Sequence, residues 1–433
     1  MGFQQGLSGL NASSKNLDVI GNNIANANTY GAKTSRAEFS HVYAVTAGGI
    51  GQSIGTGVSV DAVTQQFTQG NVSTTDVPTD LAISGNGFFQ VTDGINPTMY
   101  TRNGQFKVDR SGFVVNNDGM KLLGYKADTR GQIQPSAAEP LRLPSSGIVP
   151  RISAKISMEV NLDSRAAIPT AATTAPPTID FSDPSTYNNA TSQTLYDAKG
   201  QSVAMTYYFQ KASTDVTTGA STWNVYATAN GTPVNGTAAA PESLATLTFN
   251  GAGRLDSSFK TVDAATNMIE IPSTTTSTGV LTGAISIDPA QFDIAGITQY
   301  GSSFAVTKLD QDGYPPGNLS GISVQDNGTV LAQYSNGQSL AAGQIELASF
   351  RNPQGLQPMA GNMWAITQAA GEPVRGTPGS GTLGKLEAGA LEESNVDLAG
   401  ELVNMITAQR AYQANAQTIK TQDQVLQTLV NLR

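Results

Sequence analysis

The chain has 433 residues, enough for about three domains of ordinary size, and 39% of its residues are hydrophobic, which is sufficient for folded cores. Its 24 Lys and Arg against 33 Asp and Glu give a net charge of −9, and this low, acidic charge argues against nucleic acid or an anionic membrane as partner. The absence of Cys and the single His exclude disulfides, thiolate chemistry and multi-histidine metal sites.

The N-terminal segment is predicted to form an amphipathic helix. Apolar side chains recur there at alternating spacings of four and three residues, as in coiled coils, at Phe3, Leu7, Leu10, Leu17 and Ile24. The segment lacks the basic head and continuous apolar core of a cleaved signal peptide, and the chain has no run of about 18 apolar residues. We therefore expect no membrane insertion, and either a cytoplasmic protein or one exported without a cleaved leader.

The middle of the chain is predicted to be β structure. Short β-branched and aromatic segments, such as residues 87–91, alternate with hairpin signals such as Asn103-Gly104 and Asp118-Gly119. A second block of the same texture begins near residue 151, and the first texture returns after Tyr300. This order predicts one β domain nested inside another.

The predicted fold class is mainly β with coiled-coil-like α-helical termini, and nested, discontinuous β domains are inserted between the N- and C-terminal helices. The predicted regions are a terminal helical assembly domain at 1–30 and 392–433, a linking region at 31–70 and 366–391, an inner β domain at 71–150 and 297–365, and an outer β domain at 151–296.

The C-terminal segment is predicted to form the longer helix. Its apolar stripe has the same spacing and is interrupted by polar residues at Gln409 and Asp423. The residues of this stripe are Leu398, Leu402, Met405, Tyr412, Ala416, Ile419, Leu426 and Val430. Ser394 and Asp397 have the spacing of a capping box, which predicts that the helix begins nearby.

Such stripes most often lie inside a helical hairpin of one domain. Here the two helices come from opposite ends of the chain, and no third helix is predicted to cover them. An uncovered apolar seam favours contact with other copies of the chain, so self-assembly is the leading hypothesis. The predicted assembly seam comprises Leu7, Leu10, Leu17, Ile24, Leu398, Leu402, Met405, Tyr412, Ile419 and Leu426.

No catalytic, metal or cofactor site is predicted. Residues 51–55 (GQSIG) match the GxSxG pattern of a hydrolase, but a predicted strand follows where that site needs a helix. The only His, at position 41, precedes this Ser, whereas the hydrolase order places it after. A surface adhesin or hydrolase with coiled ends remains the alternative from another class, and it would depend on His41 and scattered acidic residues.

Long motifs at both ends resemble those of the bacterial flagellar rod and hook axial proteins. They are SGLNA at 8–12, NLDVIGNNIAN at 16–26 and TYGAK at 29–33, then EESNVDL at 392–398, ELVNMI at 401–406 and QRAYQ at 409–413. The matching positions that we single out are Asn22, Asn23, Asn26, Thr29, Gly31, Ser394, Asn395, Val396, Asp397, Gln409 and Arg410. Residues 80–89 and 100–106 resemble the β domain that hook and distal-rod proteins share.

The resemblance implies a structural subunit and no enzyme. The rod proteins of the family lack a large second β insertion, which residues 151–296 supply. The resemblance therefore implies a subunit of the curved tubular hook, the flexible universal joint that transmits motor torque from rod to filament. The alternative within the family is a distal-rod or hook-associated axial protein.

The resemblance also implies a location and partners. It predicts export by the flagellar type III apparatus without a cleaved signal peptide, and an extracellular position in the hook and basal body. The implied partners are the chain itself, as a helical homopolymer, and the rod, hook-cap and hook–filament junction proteins. Neither nucleic acid nor membrane insertion is expected.

Overall fold

The structure is a computed structural model that describes residues 2–42, 57–128, 130–144, 146–173, 178–237, 239–256, 262–263, 268–271, 274–277, 284–287 and 290–431. The GxSxG segment at 51–55 lies outside these residues. The chain divides into unit 1, with Met1–Ser145, Leu319–Gln333 and Ser339–Arg433, and unit 2, with Ser146–Asn318 and Tyr334–Gln338. The four predicted regions are a finer division and stay a prediction.

The α-helices of the described residues both belong to unit 1. Helix α1 is Gly2–Ala25, with 24 residues, and helix α2 is Leu398–Asn431, with 34 residues. Helix α2 begins where the carboxylate of Asp397 accepts a hydrogen bond from the backbone N–H of Ala399 at 3.0 Å. Asp397 is therefore the cap, and the predicted capping box starting at Ser394 is wrong. Short 3-10 turns are formed by Thr170–Thr173, Pro184–Thr186 and Pro353–Gly355.

The strands fall into three groups along the chain. Before unit 2 they are β1 (Ser35–Val42), β2 (Gly57–Gln65), β3 (Val72–Thr74), β4 (Leu81–Ser84), β5 (Phe88–Thr92), β6 (Met99–Thr101), β7 (Lys107–Val108), β8 (Val114–Val115), β9 (Lys121–Lys126) and β10 (Glu139–Pro140). Within unit 2 they are β11 (Lys155–Asp163), β12 (Asn189–Tyr196), β13 (Ser202–Thr214), β14 (Ser221–Ala229), β15 (Thr232–Pro233), β16 (Ala245–Phe249), β17 (Val262–Asp263), β18 (Met268–Ile271), β19 (Thr274–Ser277), β20 (Ala284–Ile287), β21 (Ala290–Asp293), β22 (Thr298–Tyr300) and β23 (Ala305–Gln311). The last group is β24 (Leu319–Val324), β25 (Thr329–Tyr334), β26 (Ser339–Ile345), β27 (Leu347–Ser349), β28 (Gln357–Met359), β29 (Met363–Ala365), β30 (Val374–Gly376), β31 (Lys385–Ala388) and β32 (Ala390–Glu392).

The main sheet of unit 1 has apolar clusters on both faces. Its strand order is β24-β25-β26-β9-β5-β6-β29-β28. Because successive side chains of a strand point to opposite faces, the neighbours Phe88 and Phe89 enter different clusters. Phe89 lies in the larger core, and Phe88 packs edge-on against Trp364 with ring centroids 5.6 Å apart. The whole of β5 is therefore buried or nearly so.

The two ends of unit 1 are joined by strand pairs. Strand β3 pairs antiparallel with β32, and β4 pairs antiparallel with β31. The backbone N–H of Gly31 also donates to the carbonyl of Glu392 at 2.8 Å. These pairs bring the segment after α1 beside the segment before α2.

Unit 2 has a core of its own between two sheets. One sheet has the order β12-β13-β14-β15 with β16 on β14, and the other has β17-β18-β21-β11-β22 with β23 on β11. Alternate residues of β11, from Ile156 to Leu162, are buried in one cluster with Trp223 of β14. The predicted mainly β fold class, with helices at the termini, is confirmed.

Candidate assembly site

Helices α1 and α2 pack closely because small residues face the contact. A Cβ added at Gly9 would lie 2.8 Å from Nδ2 of Asn415, and one at Gly6 would lie 3.0 Å from Cγ1 of Ile419. Nδ2 of Asn415 also lies 3.5 Å from the hydroxyl of Ser13. Glycine thus permits a distance between the helices that larger side chains would prevent.

The predicted seam residues lie in two environments. Leu10, Leu17, Ile24, Met405 and Ile419 are half-buried. The exposed members are Leu7, Leu398, Leu402, Tyr412 and Leu426. The assembly role of all ten residues stays a prediction.

An exposed apolar face runs along the start of α2. Leu398, Leu402 and Ile406 follow one another at four-residue spacing, and Val403 lies beside them. Their exposed fractions are 46%, 46%, 51% and 63%, in the order Leu398, Leu402, Ile406 and Val403. We define these four residues as the α2 face. The strict heptad pattern missed Val403 and Ile406, although the four-residue spacing from Leu402 points to Ile406.

Asn23, one of the motif residues, links α1 to β1 and α2. Its Nδ2 donates to the carbonyl of Ser35 at 2.8 Å and to Oε1 of Glu401 at 3.1 Å. Its Oδ1 accepts from the backbone N–H of Ser35 at 2.9 Å. Asn23 is buried, so these three bonds hold its side chain in one position.

Asn395, in the segment just before α2, makes a second link. Its Oδ1 accepts from the backbone N–H and the hydroxyl of Thr34 at 2.7 and 2.8 Å. Its Nδ2 donates to the carbonyl of Gln66 at 2.8 Å and to the hydroxyl of Thr68 at 2.8 Å. The side-chain amide of Asn395 therefore connects the segment before α2 with the residues just before β1 and just after β2.

The other motif residues have several environments. Gly31 has φ +71, and a Cβ there would lie 2.6 Å from the backbone nitrogen of Asn103, so glycine is required. Nδ2 of Asn26 donates to the carbonyl of Asn22 at 2.9 Å and so caps the last turn of α1. Thr29, Ser394 and Val396 are half-buried, and Asn22, Asp397, Gln409 and Arg410 are exposed.

A cluster of three charged side chains is buried beside these links. Oε1 of Glu392 accepts from Nζ of Lys33 at 2.6 Å and from the N–H of Gly70 at 2.9 Å, and its Oε2 accepts from Nη1 of Arg102 at 3.0 Å. The side chains of Lys33, Arg102 and Glu392 are 0%, 4% and 0% exposed. We call these three residues the charge cluster.

The charge cluster has two cations and one anion. Burial lowers the pKa of Lys33, and the Glu392 carboxylate opposes that shift; burial likewise lowers the pKa of Arg102. Nζ of Lys33 and Nη2 of Arg102 also donate to the carbonyls of Thr68 and Gly85, each at 2.8 Å. Lys33 and Glu392 lie within the motifs, but their pairing could not be predicted from positions so far apart.

Replacing Gly9 by Leu is expected to separate α1 from α2. The new side chain would occupy the space of the Asn415 amide, and overpacking of this kind typically costs about 1–3 kcal/mol. Hydrogen–deuterium exchange of α1 should become faster. The control is Gly21→Ala in the same helix, because an added Cβ at position 21 meets nothing within 4 Å. The α1 amides of this variant should exchange no faster than those of the unaltered chain. Equal exchange in both variants would contradict this view of the contact.

Within the described part of the chain, neither helix combines the length and the hydrophobicity that a membrane span requires. The same part of the chain also contains no group of three or more His, Asp or Glu residues arranged to hold a metal ion. His41, the base of the hydrolase alternative, is an exposed residue of β1 opposite Val58.

Four family models match the chain. They are described as flagella basal body rod protein at residues 3–33, flagellar hook protein FlgE/F/G D1 domain at 82–165, flagellar basal body protein FlaE D2 domain at 161–314, and flagellar basal body rod FlgEFG protein C-terminal at 387–432. The matched ranges include both terminal helices and most of the β structure.

Relatives match over the full length. The chain is 42% identical to the flagellar hook protein FlgE of Salmonella typhimurium, with 100% of both chains covered. It is 33% identical to that of Rhizobium meliloti, covering 100% of this chain and 98% of the relative. The solved structure of Helicobacter pylori flagellar hook protein FlgE2 is similar in fold, with a TM-score of 0.53 at 14% identity, covering 74% of this chain and 100% of that one.

Proposed function

The chain belongs to the flagellar hook protein family, and from this premise we propose that it polymerises into the curved tube that joins rod to filament. The family is one of structural proteins, and its full-length matches favour a hook subunit over a distal-rod protein. The observation that carries the proposal is the α2 face. Four neighbouring aliphatic side chains are left in water by the single chain, and burying each would contribute about 1 kcal/mol or more. Another copy of the chain would supply that burial.

The remaining site residues would hold the helices for this contact. The helix pair presents the α2 face outward, while Asn23 and Asn395 fix both helices to the β1–β2 pair. The charge cluster links the segment before α2 to Arg102, directly after β6, and to Lys33, in the segment after α1. A torque applied to the helices would therefore pass into the β structure through several bonds rather than one. The seam and motif residues are proposed to act in this way.

We propose export by the flagellar type III apparatus without a cleaved signal, and an extracellular position in the hook. The chain has no Cys, so no disulfide has to be broken before it is threaded unfolded through a narrow channel. The proposed partners are other copies of the chain and the rod, hook-cap and hook–filament junction proteins. We propose that the chain has no enzymatic activity, nucleic acid partner or membrane insertion.

Electron microscopy of the purified chain tests the proposed function. Polymerisation would be induced with a salt that strengthens apolar contacts, such as a sulfate. We expect curved tubes with a central channel. Straight tubes would instead favour a rod protein, and a chain that stays monomeric at every concentration would contradict self-assembly.

A further inference from the structure

The early segments of unit 1 obtain key partners from the end of the chain. Strand β4 pairs with β31, and β3 pairs with β32. Lys33 and Arg102 obtain their carboxylate from Glu392, which is 359 and 290 residues further along the chain. The fold of the early segments is thus incomplete until residues 385–392 are present.

Among these late partners, Glu392 is the one whose absence would destabilise the early segments of unit 1 most. A backbone group that loses its strand partner is neutral and can hydrogen-bond to water once it is exposed. The side chains of Lys33 and Arg102 carry charge and are 0% and 4% exposed in the folded chain. Removing one partner from a buried ion pair is strongly destabilising, because the remaining charge stays buried and uncompensated. Two cations depend here on a single carboxylate.

We propose that Glu392 is a folding latch, which lets the early segments of unit 1 fold only when the end of the chain has docked against them. When synthesis or passage through a narrow channel separates the two ends, neither end can complete unit 1. The latch would thereby keep the unit 1 segments of a partly exported chain unfolded on both sides of the channel. This use of the latch rests on the proposed function, whereas the latch itself rests on the charge cluster.

The first test replaces the anion in the full-length chain. Glu392→Gln keeps the shape of the side chain but leaves both cations without a counter-charge. We expect the protection of β4 and β6 amides in native-state hydrogen exchange to fall about a hundredfold or more. The matched control is Glu393→Gln at the next residue, which is half-exposed and forms no ion pair within the described part of the chain. In this control, the protection of the β4 and β6 amides should stay within about threefold.

Unit 2 provides an internal control in the same measurement. Its core is separate, so the protection of β13 and β14 should be equal in the two variants. A Glu392→Gln chain that fails to fold unit 1 while Glu393→Gln folds would support the latch. Equal protection of β4 and β6 in both variants would overturn it.

The second test follows the refolding of the unaltered chain and needs no substitution. Pulse labelling of amides during refolding should show β4 and β6 becoming protected together with β31 and β32. Protection of β4 and β6 about tenfold earlier would overturn the latch. Polymerisation is scored separately, so a chain that shows the coupled protection but forms no tubes would count against the proposed function alone.

Discussion

A chain carrying Leu402→Asp and Ile406→Asp is expected to fold normally as a monomer and to form no tubes. Both side chains are exposed, at 46% and 51%, so water solvates the new carboxylates in the single chain. A neighbouring copy covering the α2 face would bury them without partners, at several kcal/mol for each ion. The concentration needed for polymerisation should rise about a thousandfold or more, as measured by sedimentation and electron microscopy.

Asn404→Asp is the matched control for this pair. Asn404 is exposed, polar and in the same turns of α2, but it is not part of the α2 face. The control chain should polymerise within about threefold of the unaltered concentration. Met405 is less suitable as a target because it is half-buried in the single chain, so a charge there would also disturb the monomer. Normal tubes from the Leu402 and Ile406 variant would show that the α2 face is not the assembly surface.

Removing residues 149–316 and joining Ile148 to Gly317 through a short Gly-Ser linker should give tubes that are straighter. Ile148 and Gly317 exchange backbone hydrogen bonds of 2.8 and 3.3 Å, so the ends of the removed segment already lie side by side. The deleted segment contains the buried core of unit 2, and the helices and the α2 face remain. We propose that the outer β domain, residues 151–296, makes the weak, sliding contacts between copies that set curvature. Electron micrographs give the radius of curvature directly.

A Gly-Ser insertion after Val216 provides the control for the deletion. Val216 is 98% exposed in the connection between β13 and β14, so the insertion should leave unit 2 folded and the tubes curved. Deleted chains that form tubes of unchanged curvature would contradict the proposed role of the outer β domain. Deleted chains that fold but form no tubes would show that this region is needed for assembly itself.

Local sequence patterns predicted most of the secondary structure. The predicted hairpin at Asn103-Gly104 is wrong, because β6 before it pairs with β5 and β29 and not with β7. The four-and-three spacing identified both helices, and the hairpin signal at Asp118-Gly119 lies between the paired strands β8 and β9. These predictions succeed because the periods of helix and strand are set by residues only a few positions apart. The cap of α2 was misplaced at Ser394 because Ser and Asp are both good caps, and only the backbone path decides which side chain reaches an N–H.

Residue patterns were sufficient to predict two helical ends, a β middle and the terminal motifs of the flagellar axial proteins. They could not predict which apolar residues stay exposed, because this depends on helix packing: α1 and α2 meet through Gly6, Gly9 and Asn415 and leave the α2 face free. The spacing of apolar residues shows which of them share one face of a helix. What that face packs against depends on how closely the backbones of the two helices approach each other. The pairing of Glu392 with Lys33 and Arg102 was equally hidden, because it joins residues hundreds of positions apart that only the folded chain brings within hydrogen-bond distance.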